Sequence, residues 1–415
     1  MKENVKKDKD HSLESVPKTE RRGFLTMFMI MLGFTFFSAS MWTGQTLANG
    51  LDLTGFIGAL LLGGAILGVY TALLAYVGSK TGLSMDLIAQ HSFGKFGSYL
   101  PSALISFTQI GWFGVGVAMF ALPVANYIAP DQKWLPMALV AIAGICMTSS
   151  AFFGIKALTI VSYISVPLIS VLGIMSMIMA VNSSDVSLFD KFGESQSMTV
   201  LAGTGLVVGS FISGGTATPN FTRFAKTPFV AVITTIIAFF LGNSLMFTFG
   251  AISGVYVGGN DIFEVMIALN LGIFAIIVLG LNIWTTNDNA LYSAGLGLSN
   301  ITKVKKSPLV LISGALGTLT AIWLYNNFCG WLTLLNGTLP PIGAILVLGY
   351  FCHKEEYTLE AEIKKNVNWF AVIGVVLGAL VANLFPVGIT SINSMLVACV
   401  CYMIGEFVNK GNVSR

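Results

Sequence analysis

Charge is scarce in this chain. Asp, Glu, Lys and Arg make up 10% of its 415 residues, against about 25% in an average soluble domain. A soluble core of this size would expose too much apolar surface to stay monomeric. Soluble enzymes, nucleic-acid binders and secreted scaffolds are thereby disfavoured, and the net charge of +3 is too small to argue for an anionic partner. Histidine is nearly missing: His11, His91 and His353 all fall in polar segments, which leaves no zinc site and no intramembrane histidine relay. Five cysteines (Cys146, Cys329, Cys352, Cys399 and Cys401) show no metal-ligand rhythm, and the last two sit in an apolar run where thiols act as small hydrophobes. The start lacks a short apolar stretch with a small-residue cleavage site. Residues 1–22 therefore read as a retained cytoplasmic tail.

What the chain has is hydrophobic length: 55% of residues are hydrophobic and the mean hydropathy is +0.80. At about 20 apolar residues per spanning helix, the runs predict twelve spans: 24–49, 53–79, 97–129, 134–153, 157–181, 200–223, 228–256, 264–299, 307–326, 328–349, 367–386 and 388–408. The runs are too long and too uniform for the alternating strands of an outer-membrane barrel. Lys and Arg sort by side. The N-terminal tail, the even-numbered connections and the segment after the last span hold twenty of them, and the odd-numbered connections hold only Lys133 and Lys191. By the positive-inside rule both termini are cytoplasmic.

Three stretches depart from plain apolar helix. The eighth span carries LNIWTTNDNALYS, with Asn282, Thr285, Thr286, Asn287, Asp288 and Asn289 close together. Away from the span ends no Lys or Arg remains and one acid does, Asp288, and an intramembrane carboxylate marks a functional site by default. At about 100° per residue, Asn282, Thr285, Thr286 and Asn289 share one helix face and Asp288 points away from it. Hydroxyls beside a helix carbonyl are hard oxygen donors for a small alkali ion; interhelical hydrogen bonding is the plainer use of the same residues. The other two stretches are GFTFFSASMWTGQT (33–46) and GSFISGGTATPN (209–220). Both read as broken helices of the kind that hold substrate and ions at the bilayer midplane, although close helix packing explains some of their glycines.

Ser38 and Ser213, near the two expected breaks, lie 175 residues apart, as do Trp112 in the third span and Asn287 in the eighth. One offset predicts a five-plus-five repeat, inverted because each half has an odd number of helices. The chain then divides into a tail (1–22), a first five-helix repeat (23–181), a second (198–349), two accessory helices (367–408) and a C-terminal tail (409–415). Gln109 and Trp112, at i and i+3, face the same way. With Phe211 opposite, they would form a slot with aromatic walls and an amide edge, suited to a flat heterocycle; ordinary bundle packing is the alternative.

The segments TFFSASMWTG (35–44), TQIGWFGVGVAMFALPV (108–124), FFLGNSLMF (239–247), LGLNIWTTNDNALY (279–292) and WLYNNFCGWL (323–332) resemble the bacterial cytosine permeases of the nucleobase–cation symporter-1 family. The resemblance runs from about Arg22 through the twelfth span. It implies a five-plus-five inverted repeat with two added helices, and sodium-coupled cytosine import across the inner membrane rather than an enzyme activity. The expected partners are cytosine and the lipid bilayer, with no obligatory protein partner evident in the sequence. By the same resemblance the base stacks between Trp112 and Phe211. Gln109, Ser213 and the backbone around Phe37, Ser38 and Ser210 meet its polar edge. Sodium would be held by the carbonyls of Gly33, Phe36 and Asn282 and the hydroxyls of Thr285 and Thr286. Asn287, counted with the substrate residues, and Asp288 would form a supporting polar shell. Proton coupling, another flat heterocycle (a purine, hydantoin or allantoin type) and, further off, a channel remain as alternatives.

Overall fold

The apolar runs all fold as helix. The computed structural model describes residues 10–192, 197–258, 262–363 and 365–413. Lys2, Lys6, Lys7, Lys9, Glu194, Asp261, Lys364 and Arg415, all used in the charge reading or the tails, lie outside the described residues, as do the side chains of Cys329 and Lys410. In chain order the helices are α1 (Phe24–Thr35), α2 (Ser38–Gly50), α3 (Leu53–Thr81), α4 (Met85–Phe93), α5 (Tyr99–Ile128), α6 (Leu135–Phe152), α7 (Ile155–Val181), α8 (Leu188–Phe192), α9 (Val200–Thr216) and α10 (Pro219–Thr222). There follow α11 (Pro228–Ile236), a π-helical segment (Ile237–Gly242), α12 (Asn243–Val257), α13 (Ile262–Ala268), α14 (Gly272–Thr302), α15 (Lys306–Asn326), α16 (Phe328–Thr338), α17 (Pro340–Cys352), α18 (Trp369–Leu384) and α19 (Thr390–Val413). Among the described residues no strand forms, and a single bridge joins Arg22 to Ala225. Among the described residues seven helices are long and apolar enough to cross a membrane, or eight with α1 and α2 taken as one bent span.

Local chemistry sets the ends. Asp52 caps α3 by accepting from the Gly55 amide at 2.8 Å. Thr199 caps α9 and Thr227 caps α11, where Pro228 stands in the first turn without an amide to satisfy. The two-proline run at 340–341 separates α16 from α17, so the run expected over 328–349 is two helices. The span expected from 264 starts later: α13 ends before Asn270, which has positive φ, and α14 begins at Gly272.

Two long helices, α5 and α14, pack along each other at the centre, and their facing sides are buried. The closest backbone approach joins α2 to α12. A Cβ on Gly44 would overlap the Phe247 carbonyl, and one on Gly250 would overlap the Met41 carbonyl. Small residues let backbones touch where lipid supplies no hydrophobic drive between helices.

The described part of the N-terminal segment, residues 10–22, is laced into one end of the helix bundle. The Asp10 carboxylate pairs with Lys306 Nζ at 3.0 Å and accepts from the Ile155 amide at 3.2 Å. Arg223, fully buried, donates to the carbonyls of Asp10 (2.7 Å) and His11 (2.8 Å) and to the Tyr292 hydroxyl (3.0 Å). Lys306 also lies over the Tyr292 ring at 4.4 Å. Arg21 donates to the Ser79 carbonyl at the end of α3. Charges that read as loop residues thus become buried ones, satisfied by backbone oxygens and one carboxylate.

At the same end, α4 holds Asp86 buried. Ser102 donates to it at 2.7 Å, and burial pushes its carboxyl up to about 6 despite that bond and the nearby Arg223 charge. The folded protein then binds a proton more tightly than the unfolded chain, whose value is 3.8. Stability should be greatest below about pH 4 and fall as pH rises through 6, by an upper bound of roughly 3 kcal/mol. Thermal unfolding in detergent from about pH 4 to 8 should show this decline, and Asp86→Asn should flatten it; parallel profiles for the two proteins would refute the assignment.

Candidate functional site

Helix α1 stops where the Phe36 amide closes on the Leu32 carbonyl at 2.7 Å. Phe37 is fully extended (φ −130°, ψ 131°), and α2 leaves at 53° to α1. The break strands backbone groups far from water, where each unpaired group costs about 1–3 kcal/mol. Asn282 of α14 supplies the missing partners. Its Oδ1 accepts from the Ser38 amide at 2.9 Å, and its Nδ2 donates to the Phe36 carbonyl. One side-chain amide therefore bridges both sides of the break, and its orientation is fixed because a backbone N–H can only donate and a carbonyl only accept.

Behind the break lies an enclosed slot lined by residues of α1, α5, α9 and α14, with Phe37 from the break itself. Phe37, Gln109, Trp112, Ser210, Phe211, Ser213 and Thr286 all face it. Its free volume is about 10 Å³, on the order of one water position, so the walls are nearly in contact. Gln109 Nε2 donates to Ser213 Oγ at 3.4 Å across it. Trp112 meets Phe37 edge to face at 5.8 Å between centroids. Phe211 is held by Phe34 (5.6 Å) and Phe239 (5.7 Å), both edge to face. The slot thus offers one amide, two serine hydroxyls, a threonine and aromatic walls.

The structure separates residues that the sequence grouped together. Ser38 lies outside the slot: its amide is taken by Asn282, its hydroxyl points to Met119 Sδ at 3.5 Å, and it lines a second small cavity with Trp42, Phe120 and Phe263. Asn287 also misses the slot. It points about 100° round α14 from Thr286, donating to the Phe113 carbonyl (3.3 Å) and Met147 Sδ (3.1 Å). Asp288 is fully buried toward α6, where Ser150 donates to its Oδ1 at 2.6 Å and Trp284 Nε1 donates to Ser150. Phe34, Gly214 and Ala290 complete the slot. Sequence reading passed over them because each resembles ordinary packing.

The second expected break is also corrected. Residues 209–216 are uninterrupted helix, and the irregularity shrinks to Ala217 and Thr218, both in helical conformation, ahead of Pro219. Its glycines serve contact. A Cβ on Gly214 would come within 2.6 Å of the Phe34 ring, and one on Gly215 would lie 3.0 Å from Thr71. Serine and threonine bond back into the helix: Ser210 to the Val207 carbonyl and Thr216 to the Ile212 carbonyl, both at 2.8 Å.

The five expected ion ligands come from the end of α1 and from α14. Thr285 and Thr286 donate to the Asn282 carbonyl at 2.7 and 3.5 Å, the Phe36 carbonyl is held by the Asn282 amide, and Gly33 belongs to the last turn of α1, pressed against Ser162. The carbonyls of such a turn lack helical partners. All five groups are neutral oxygens, a donor set that a monovalent hard cation accepts without any proton leaving.

A helical bundle with a broken helix crossing a buried polar slot is the arrangement of a membrane transporter. Residues 15–405 match the sequence profile of the permeases for cytosine/purines, uracil, thiamine and allantoin, and the chain belongs to that family. It is 46% identical to the cytosine permease of Escherichia coli (strain K12) over 402 residues, 96% of this chain and 95% of the relative. In fold it is similar to Mhp1, a nucleobase-cation-symport-1 family transporter solved closed with bromovinylhydantoin bound (TM-score 0.83, 20% identity, 96% of both chains). It is also similar to a Na+-coupled sialic acid symporter in a substrate-bound outward-open state (TM-score 0.70, 15% identity, 96% of this chain and 92% of that one).

Removing the clamp should loosen the break. Asn282→Ala leaves the Phe36 carbonyl and Ser38 amide unpaired at about 1–3 kcal/mol each, so the unfolding midpoint in detergent should fall clearly below that of the parent protein. An unchanged midpoint would mean that the break is held by something else.

Proposed function

We propose that the protein imports cytosine with sodium by alternating access, across the cytoplasmic membrane of a bacterium. The observation that carries this reading is the double position of Thr286. Its side chain lines the slot and also bonds the Asn282 carbonyl, which belongs to the ion donor set. An ion drawing Asn282, Thr285 and Thr286 toward the last turn of α1 would fix the position of Phe37, a wall of the slot. Substrate would raise ion affinity by the same factor, because linkage is reciprocal. The relative from Escherichia coli, a cytosine permease by name, supports cytosine as cargo. In this state Trp112 and Phe211 supply ring faces, while Gln109, Ser213 and Ser210 supply donors and acceptors for a base. The walls must part by several ångströms to admit it.

Packing supports the inverted five-plus-five repeat. Moving each helix of one half to its counterpart 175 residues away exchanges observed neighbours: α1 on α7 becomes α9 on α16, α2 on α12 becomes α10 on α3, and α5 on α15 becomes α14 on α6. The contacts of α5 with α14, α3 with α11 and α6 with α15 map onto themselves. Twelve spans and two cytoplasmic termini fit the same arrangement. Residues near 22, 79–95, 155, 223, 306, 353 and 406 touch one another at one end of the bundle, and Lys and Arg concentrate there.

Proton coupling is the second reading, favoured by Asp288, a fully buried carboxyl whose Oδ2 has no hydrogen-bond partner. Its separation from the slot weighs against it.

Radiolabelled cytosine uptake into proteoliposomes, with an inward sodium gradient against an equal potassium gradient, decides between them. Accumulation is expected with sodium alone, and uptake driven by a pH gradient and indifferent to sodium would overturn the ion assignment. Trp112→Ala should weaken cytosine binding by about 1–3 kcal/mol, the range of base–aromatic stacking. Thr286→Ala should raise both half-saturating sodium and half-saturating cytosine. If only one of the two moved, Thr286 would not be the shared residue.

A further inference from the structure

On the outer surface of the bundle, α3, α11, the π-helical segment and α17 enclose a groove of about 480 Å³ whose wall exposes no polar atom. It runs along α3 from Ala65 to Tyr76, eleven residues or about 16 Å of helix rise. That is the depth of half a hydrocarbon core, about 15 Å. Gly68 and Ala72 keep the floor low: a Cβ on Gly68 would meet only the Phe240 side chain, at 3.5 Å. The groove closes on a stacked pair, Tyr76 and Phe351, with ring centroids 6.1 Å apart and planes 11° from parallel. Each ring of the pair carries a lysine. Lys80 Nζ lies 5.8 Å from the Tyr76 centroid and Lys354 Nζ lies 5.2 Å from that of Phe351. Neither lysine forms an ion pair among the described residues. Glu355 and Glu356 follow Lys354 in the chain and partly offset its charge.

We infer that this groove is a binding site for one anionic phospholipid. An acyl chain fills the apolar channel over the depth of a leaflet, and the phosphate sits between the Lys80 and Lys354 ammonium groups beyond the aromatic pair. Length, apolar lining and the two cations at one end coincide, and a free phosphate would use only the last of these. The inference needs the chain to span a bilayer, and it depends on neither cargo nor coupling ion. The groove also reaches the transport machinery. Phe240, one of its walls, belongs to the six-residue π segment that ends at Gly242. A Cβ on Gly242 would meet Leu32 at 2.7 Å and Phe36 at 3.1 Å beside the break.

Native mass spectrometry of the intact protein in detergent, titrated with phosphatidylglycerol or phosphatidylcholine, tests this directly. Parent protein should retain one phosphatidylglycerol at least fivefold more tightly than phosphatidylcholine. Lys80→Gln with Lys354→Gln should abolish the preference. Ala72→Phe, which fills the channel, should weaken both lipids, and the unfolding midpoint of each variant shows whether it is folded. Equal retention of the two lipids by the parent protein, or an Ala72→Phe variant that is folded and binds both unchanged, would overturn the site.

Discussion

A helix interrupted inside a membrane leaves donors and acceptors where no water can reach them, and this structure answers the problem with one side chain. The Asn282 amide reaches from α14 to both sides of the α1–α2 break, holding a carbonyl with its nitrogen and an amide with its oxygen. Everything nearby depends on that bridge. It orients Phe37 into the slot, places the last turn of α1 beside Thr285 and Thr286, and ties the broken helix to the long central helix. Asparagine is unusual in offering a donor and an acceptor on one rigid plane; aspartate would repel the Phe36 carbonyl and leucine would leave both backbone groups bare.

Around the bridge, small residues do the work that apolar bulk does in a soluble core. Helices α2 and α12 meet backbone to backbone because Gly44 and Gly250 carry no side chain, and Gly214 makes room for the Phe34 ring against α9. Dispersion between closely fitted surfaces, not exclusion of water, holds such contacts. The nearly closed slot follows from the same fit. Its aromatic walls are braced edge to face by Phe34 and Phe239, so admitting a ligand requires helices to shift as units.

Much of this was readable from the letters. Hydropathy located the helices to within a few residues, because a helix crossing hydrocarbon must be apolar over a fixed length. The polar run at 282–289 announced a special segment, and its helical period correctly set Thr286 and Asp288 on different faces. The sequence was a poorer guide where one residue type serves two ends. SGGTATP looks the same whether its glycines unwind a helix or let another helix approach, and only the neighbouring Phe34 and Thr71 distinguish the two. Resemblance places Ser38 and Asn287 with the substrate residues, and in this structure an extended residue and about 100° of helix turn them away from the slot. The contacts of Asn282 with the break, of Ser150 with Asp288 and of Lys306 with Asp10 join residues well over a hundred positions apart, beyond the reach of any local pattern.

Those long separations bear on how the molecule is made. Lys306 is translated about 300 residues after Asp10, and Arg223 about 200 residues after His11. At roughly 5–20 residues per second, the N-terminal segment waits about 15–60 s for the lysine that neutralises its carboxylate. The end of the bundle that it laces together therefore cannot close until Lys306 has been made. Until then the Asp10 carboxylate lacks its lysine, while the packing of α2 on α12 and of α5 on α14 needs nothing translated later.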